Sequence, residues 1–242
     1  MELYEKLAIP EACRIGNTVY KKLFYENGNL STQDRDLFTK VVEKVRWLYC
    51  LKPETANIPI YRDEEREYLE IEVIEATLTT DKGLRRIAEI ILRTMPYPML
   101  LFFRLGDRFQ LWTAHLRINH VDESKLTAES FEHTGWLNAD TELLDVLNVK
   151  AMHWSNFFVL YSDMVDAISI WRARQLTQDE ETELTGDEAR RLLVAVEELD
   201  VQIAKLRAKL KKETQFNRKI ELSILIKQYE LKRSKRRGGC MV

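Results

Sequence analysis

The sequence predicts an α+β fold: a mainly antiparallel sheet with flanking helices, followed by a C-terminal helical region with a long coiled-coil helix. Three observations carry that reading. Two β-rich runs flank a Gly106-Asp107 pair in the middle of the chain. Helical periodicities alternate with short aromatic and β-branched runs up to about residue 140. From Asp187 to Arg237 there is neither Gly nor Pro, and the apolar residues step by four and three.

The opening, Ile9-Pro10-Glu11-Ala12 through Asn27-Gly28-Asn29, mixes short helical pieces with turn residues. Ser31-Thr32-Gln33-Asp34 has a hydroxyl for an orphan N–H and acids in the first turn, which marks a helix start. Leu37, Phe38, Val41, Val42 and Val45 then place an amphipathic helix at about 32 to 46. Trp47-Leu48-Tyr49-Cys50-Leu51 is apolar enough for a buried strand, closed by Lys52-Pro53. Tyr68 to Glu75 reads as a strand with Leu69, Ile71 and Val73 on one face, so its glutamates face solvent or a surface groove. Asp81 opens a second amphipathic helix on Leu84, Ile87, Ile90 and Ile91, stopped by Met95-Pro96-Tyr97-Pro98.

Met99 to Leu105 and Arg108 to Leu116 around Gly106-Asp107 form a hairpin. A further strand lies near Ser130 to Trp136, with a turn at Gly135. Beyond Asp140 the chain turns helical, at about Thr141 to Leu147 and again along Ala151 to Gln175. There His153, Trp154, Phe157, Phe158, Tyr161 and Trp171 supply core or a dimer face. The acidic stretch Asp179 to Thr185, ending in Gly186, is a boundary. The domain expectation is therefore a globular body over 1–140, a helical extension packing on it over 141–178, and a basic helix over 187–237.

Within that last helix, Leu192, Val196, Leu199, Ile203, Leu206 and Leu210 have heptad spacing, with Val196, Ile203 and Leu210 at position a. The phase continues through Asn217 at a, Ile220 at d and Ile224 and Leu231 at a. A continuous helix of roughly 49 residues would reach about 73 Å at 1.5 Å per residue, and its seam would need a partner helix. Asn217 would then fix register against its counterpart in a homodimer. A helical hairpin turning near Glu213 to Asn217 is the competing reading; the surviving phase favours continuity.

The net charge of -2 hides an asymmetry. Residues 201–242 carry 13 basic against 3 acidic side chains, and residues 1–200 carry 24 against 36. Such a tail suits DNA or an acidic partner, and Lys205, Lys209, Lys212, Arg218, Lys219, Arg233, Arg236 and Arg237 are the candidate contacts. No apolar run approaches the ~20 residues that span a bilayer, and the first residues lack an apolar signal core. The expectation is a cytoplasmic protein without membrane contact.

Conventional catalytic signatures are missing. Cys13, Cys50 and Cys240 have no metal spacing and read as free thiols, the first two buried. His115, His120, His133 and His153 make no HxH or HExxH, and the eight glycines make no phosphate loop. His115 reads as half-buried and structural. Glu70, Glu72 and Glu75 offer strand acids for a divalent metal, but no lysine follows at the spacing a restriction-type nuclease uses. No metal or cofactor is expected.

Lys22 to Asn27, Trp47-Leu48-Tyr49 through Pro53-Glu54-Thr55 to Asn57-Ile58-Pro59, Ile91 through Pro96-Tyr97-Pro98 to Arg104-Leu105-Gly106-Asp107, and Glu213 to Leu222 together resemble the uncharacterised bacterial and archaeal family called domain of unknown function 4391. The resemblance spans nearly the whole chain and brings no activity with it. It implies company with Snf2-type helicases and DNA methyltransferases in restriction-like or phage-defence clusters. The expectation is a non-enzymatic accessory or adaptor of a DNA-handling complex, self-associating through the coiled coil. The alternative is a degenerate metal-dependent nuclease, or another nucleic-acid enzyme, using the strand carboxylates.

Overall fold

The computed structural model describes residues 2–119, 126–177 and 183–238. In chain order the elements are α1 Glu2–Glu5, β1 Arg14–Val19, α2 Lys21–Asn27, α3 Thr32–Val41, β2 Val42–Leu51, α4 Pro53–Ala56, β3 Tyr61–Arg62, β4 Glu67–Tyr68, β5 Ile71–Leu78 and α5 Leu84–Thr94. They continue with β6 Met99–Leu105, β7 Arg108–Ile118, β8 Leu126–His133, β9 Leu137–Asn138, α6 Leu143–Val146, α7 Phe157–Thr177, α8 Gly186–Lys212 and α9 Phe216–Arg236. The fold is α+β. The chain divides into two compact units, Met1–Val165 and Asp166–Val242, and passes from one to the other within α7.

In the first unit the sheet runs β1-β2-β5-β6-β7-β8, with β9 also on β7. Every pairing in it is antiparallel except β5 with β6, which are parallel and joined through α5. A parallel pair needs such a crossover, and the helix it supplies covers one sheet face. On that face Val45, Ile74, Ala76, Leu101, Phe103 and Trp112 pack with Phe24, Phe38, Ile87, Ile90 and Ile91 of α2, α3 and α5. The other face is covered as well. Tyr4 of α1 meets Phe102 edge to face at 5.1 Å, and the buried Tyr161 hydroxyl of α7 lies 3.0 Å from the Met99 carbonyl and 3.2 Å from the Ala114 N–H that donates to it.

The first amphipathic helix begins where its cap predicts. The Ser31 hydroxyl accepts the Asp34 N–H at 3.1 Å, and the Asp34 carboxylate accepts the Ser31 N–H at 3.2 Å. It ends at Val41 and not near residue 46, because Val42 and Val45 belong to β2. A spacing of three reads as helical, but pairing with β5 makes these residues strand, and a register shift between Val42 and Lys44 lets both valines face the core. The central hairpin forms as expected, with Gly106 at φ 61 in its turn. β1 is an exposed-patterned edge strand that periodicity did not reveal. Its Gly16 at φ 70 and the register shift between Arg14 and Asn17 explain why.

Of the glutamates of the expected Tyr68–Glu75 strand, Glu70 is half-buried just before β5, and Glu72 and Glu75 do not face solvent. β5 is flanked on both edges by β2 and β6 and covered on both faces, so Glu72 and Glu75 are buried. Cys13 and Cys50 are buried free thiols, whereas His120 and Cys240 lie outside the described residues. No helix among the described residues is long and apolar enough to cross a membrane.

Candidate functional site

In the second unit the heptad run is two helices and not one. α8 starts on a capping box in which the Thr185 hydroxyl and the Glu188 carboxylate take each other's backbone N–H. It stops at Glu213, whose backbone is extended and whose carboxylate accepts the Thr214 and Gln215 N–H groups at 2.8 and 2.9 Å. Gln215 then stands at the N-cap position of α9, with no capping bond from its side chain. The break needs no Gly or Pro: a side-chain carboxylate satisfies the amides that a continuing helix would have satisfied. Those same N–H bonds hold the Glu213 carboxyl below its usual range.

The two helices run antiparallel. Asp200 accepts from Arg233 at 2.6 Å, and Glu230 accepts from Arg207 at 2.6 Å, so positions rising along α8 meet positions falling along α9. Arg237 also reaches Asp200, at 3.4 Å. The seam between the helices takes Val196 and Ile203 from α8, with Leu192, Leu199, Leu206 and Leu210 half-buried beside them. On α9 it takes Ile226, with Leu222, Tyr229 and Arg233 half-buried.

The α8 half of the expected seam is thus inside the hairpin. The α9 half is not: Ile220, Ile224 and Leu231 are 45%, 52% and 41% exposed. The turn at Glu213 resets the heptad phase, so the inner row on α9 is Leu222, Ile226 and Tyr229. Asn217 is exposed in the first turn of α9, a solvated turn residue and not a buried register pin.

The basic candidates separate into two groups. Arg233 and Arg237 hold Asp200 within the hairpin, and Arg236 lines a groove along it. Lys205, Lys209, Lys212, Arg218 and Lys219 are exposed and gather toward the turn, together with Lys211 and the 74% exposed ring of Phe216. Between Lys205 and Glu221 there are seven Lys or Arg against two acids, which makes the tip the positive end of the hairpin. The groove has Val194, Val201 and Tyr229 among its lining, with Glu197 and Glu198 on the α8 wall and Lys232 and Lys235 on the α9 wall.

In the first unit the strand acids do not make one site. Glu75 shares a face with Arg46, and its carboxylate lies 3.7 Å from Arg46 and 3.6 Å from Arg104 while accepting the Tyr4 hydroxyl. It is a satisfied structural charge. Burial, then the Glu75 charge, raises the Tyr4 hydroxyl above the ordinary tyrosine range. Glu72 points to the opposite face, where Cys50 is its cross-strand partner on β2. A register shift between Trp47 and Tyr49 reverses the parity of β2. It brings Trp47 to the face of Cys50, and the Trp47 indole donates to Glu72 Oε2.

Cys50 Sγ lies 3.5 Å from Glu70 Oε2. Burial, then the neighbouring Glu70, pushes the Glu72 carboxyl up to about 8, with Trp47 acting in the other direction. Burial, then Glu72 and Glu70, raises the Cys50 thiol. Sequence spacing missed this cluster because Cys50 and Glu72 meet only through strand pairing. The signal that could have pointed to it is the acid within an otherwise apolar central strand.

The three described histidines do not converge. His115 is half-buried on β7 with Nδ1 2.8 Å from the Tyr68 hydroxyl, His133 stacks on Trp112 at 4.5 Å, and His153 is exposed beside Asp163 at 2.9 Å.

A comparison with curated proteins found no match, and neither did one with solved structures. A family model does match, over residues 7–232 and so across the strand carboxylates and nearly all of the hairpin. The chain belongs to the family described as Domain of unknown function (DUF4391).

Proposed function

We propose that this protein is a non-enzymatic accessory or adaptor whose helical hairpin pairs with the hairpin of a second copy, leaving its basic tip to meet nucleic acid or an acidic protein. The observation that carries the reading is the apolar surface left on the outside of the hairpin. Two helices bury one seam between them and need further helices for anything apolar on their outer sides. Val194 and Val201 are 55% and 44% exposed in the groove, and Ile220, Ile224 and Leu231 form a second outward row.

A second copy is the occupant because the groove is self-complementary. Its acidic wall is on α8 and its basic wall on α9. A two-fold axis along the hairpin sets the α8 of one copy against the α9 of the other, so Glu197 and Glu198 oppose Lys232 and Lys235. The product is a four-helix bundle with two tips, each carrying Lys205, Lys209, Lys212, Arg218 and Lys219 around Phe216. A basic end with an exposed aromatic ring offers charge to phosphates and a stacking face to bases.

The family resemblance supplies the setting: a restriction-like or phage-defence complex with a helicase or DNA methyltransferase as the further partner. Sedimentation of the full chain tests the pairing. The proposal expects a dimer that Val201→Glu converts to monomer, because the new carboxylate enters the apolar groove next to the acidic wall; a monomeric wild type overturns it.

A further inference from the structure

Glu72 has less around it than its burial calls for. It is 0% exposed, its Oε2 accepts the Trp47 N–H, and its Oε1 is buried with no hydrogen-bond partner among the described residues. None of the ion pairs found among those residues involves Glu70 or Glu72, in contrast to the doubly paired Glu75. A buried acceptor left unpaired is costly, and more so when it carries charge. Beside it stand groups of the right kind to share a cation. One carboxylate oxygen each from Glu70 and Glu72, and Cys50 Sγ, all lie within 4.8 Å of one another.

We propose that Cys50, Glu70 and Glu72 form a binding site for a divalent transition-metal cation, with zinc the best match. The sulfur ligand separates this set from the all-oxygen shells of calcium and magnesium. Zinc takes thiolate at about 2.3 Å and carboxylate oxygen at about 2.0–2.2 Å, so two such ligands of a tetrahedron stand roughly 3.6 Å apart. Cys50 Sγ and Glu70 Oε2 are already 3.5 Å apart. The Trp47 indole fixes the Glu72 carboxylate through Oε2 and leaves Oε1 for the metal, the part that an outer hydrogen bond plays around many metal ligands. Three protein ligands leave a fourth position for water, the pattern of an open site. The site sits in the sheet-bearing unit and stands independently of hairpin pairing.

The test uses the full chain stripped with a chelator and titrated with Co²⁺ as a spectroscopic stand-in for Zn²⁺. The expected result is a stoichiometric thiolate-to-cobalt charge-transfer band in the near ultraviolet, removed by added Zn²⁺ and absent from Cys50→Ser. Glu70→Gln, at a half-buried position, is expected to weaken the apparent affinity by at least about tenfold while leaving the circular dichroism spectrum unchanged. Absence of the band in the wild type overturns the site, and so does its full retention in Cys50→Ser, which would put the cobalt on another cysteine. If Cys50→Ser fails to fold, Glu70→Gln decides, and unchanged affinity in that variant overturns the site.

Discussion

A carboxylate inside a sheet has to find a cation or keep a proton, and β5 carries an example of each. Glu75 has Arg46, Arg104 and the Tyr4 hydroxyl. Glu72 has no such cation, and burial, then the neighbouring Glu70 carboxylate, outweigh the Trp47 N–H, so without a metal its carboxyl stays protonated up to about 8. The folded value lies above the unfolded one of about 4.3, so the stability this group contributes is complete below that value and drains away as pH rises through about 8. With chelator present, the melting temperature of Glu72→Gln is therefore expected to gain on the wild type as pH rises from about 5 to about 9. A difference that stays flat across that range contradicts the burial account of Glu72.

Asp34 has the opposite sign. It accepts two bonds from Arg86, at 2.7 and 2.8 Å, and the Ser31 N–H and hydroxyl, and these bonds, led by Arg86, hold it well below the usual aspartate range. Its contribution is complete above the unfolded value of about 3.9 and is lost as pH falls below it. Asp34→Asn is expected to cost about 2 kcal/mol near neutral pH in denaturant titrations, and the gap to the wild type should narrow with acidification.

At the scale of elements, legibility followed whether the signal was local. The Ser31 cap, the Gly106-Asp107 turn and the Pro96 stop depend on a few adjacent residues, and each lies where the sequence puts it. The end of α3 did not, because the spacing of Val42 and Val45 is helical and only a register shift in β2, formed on pairing with β5, puts both on the core face of a strand. The solvent-facing reading of the β5 glutamates failed for a related reason. Alternation identifies two faces but does not reveal that both will be covered. The hairpin was the harder case, since the heptad phase ran on through Glu213 by coincidence while the carboxylate of that residue ended the helix.

Continuous and folded-back helices differ over which α9 residue is buried. A continuous coil buries Ile224 and exposes Ile226; the hairpin buries Ile226 and leaves Ile224 52% exposed. Ile226→Ala is accordingly expected to cost about 2–4 kcal/mol of arm stability in thermal or denaturant melts followed by circular dichroism. Ile224→Ala should stay within about 1 kcal/mol when the protein is dilute enough to be monomeric. The reverse ranking would restore the continuous helix.

At the scale of the whole molecule, the charge split seen in the sequence takes on a distribution. Part of the tail's positive charge is neutralised internally by Asp200 and Glu230; Lys232, Lys235 and Arg236 line the groove, and a further cluster lies toward the tip around Phe216. Changing Lys209, Lys212, Arg218 and Lys219 to alanine is therefore expected to weaken DNA binding and to reduce its salt slope by up to roughly 0.9 for each phosphate that is no longer neutralised. Arg233→Ala should instead loosen the hairpin. Binding that ignores salt would point to a protein partner.

The proposed adaptor, however, rests on two hairpins pairing through their grooves, and sedimentation equilibrium of the full chain beside Val201→Glu reads that directly. The account expects twice the chain mass for the wild type, falling to a single chain mass in the variant at equal concentration. A wild type with a single chain mass across the accessible concentrations, or a variant that remains dimeric, contradicts it.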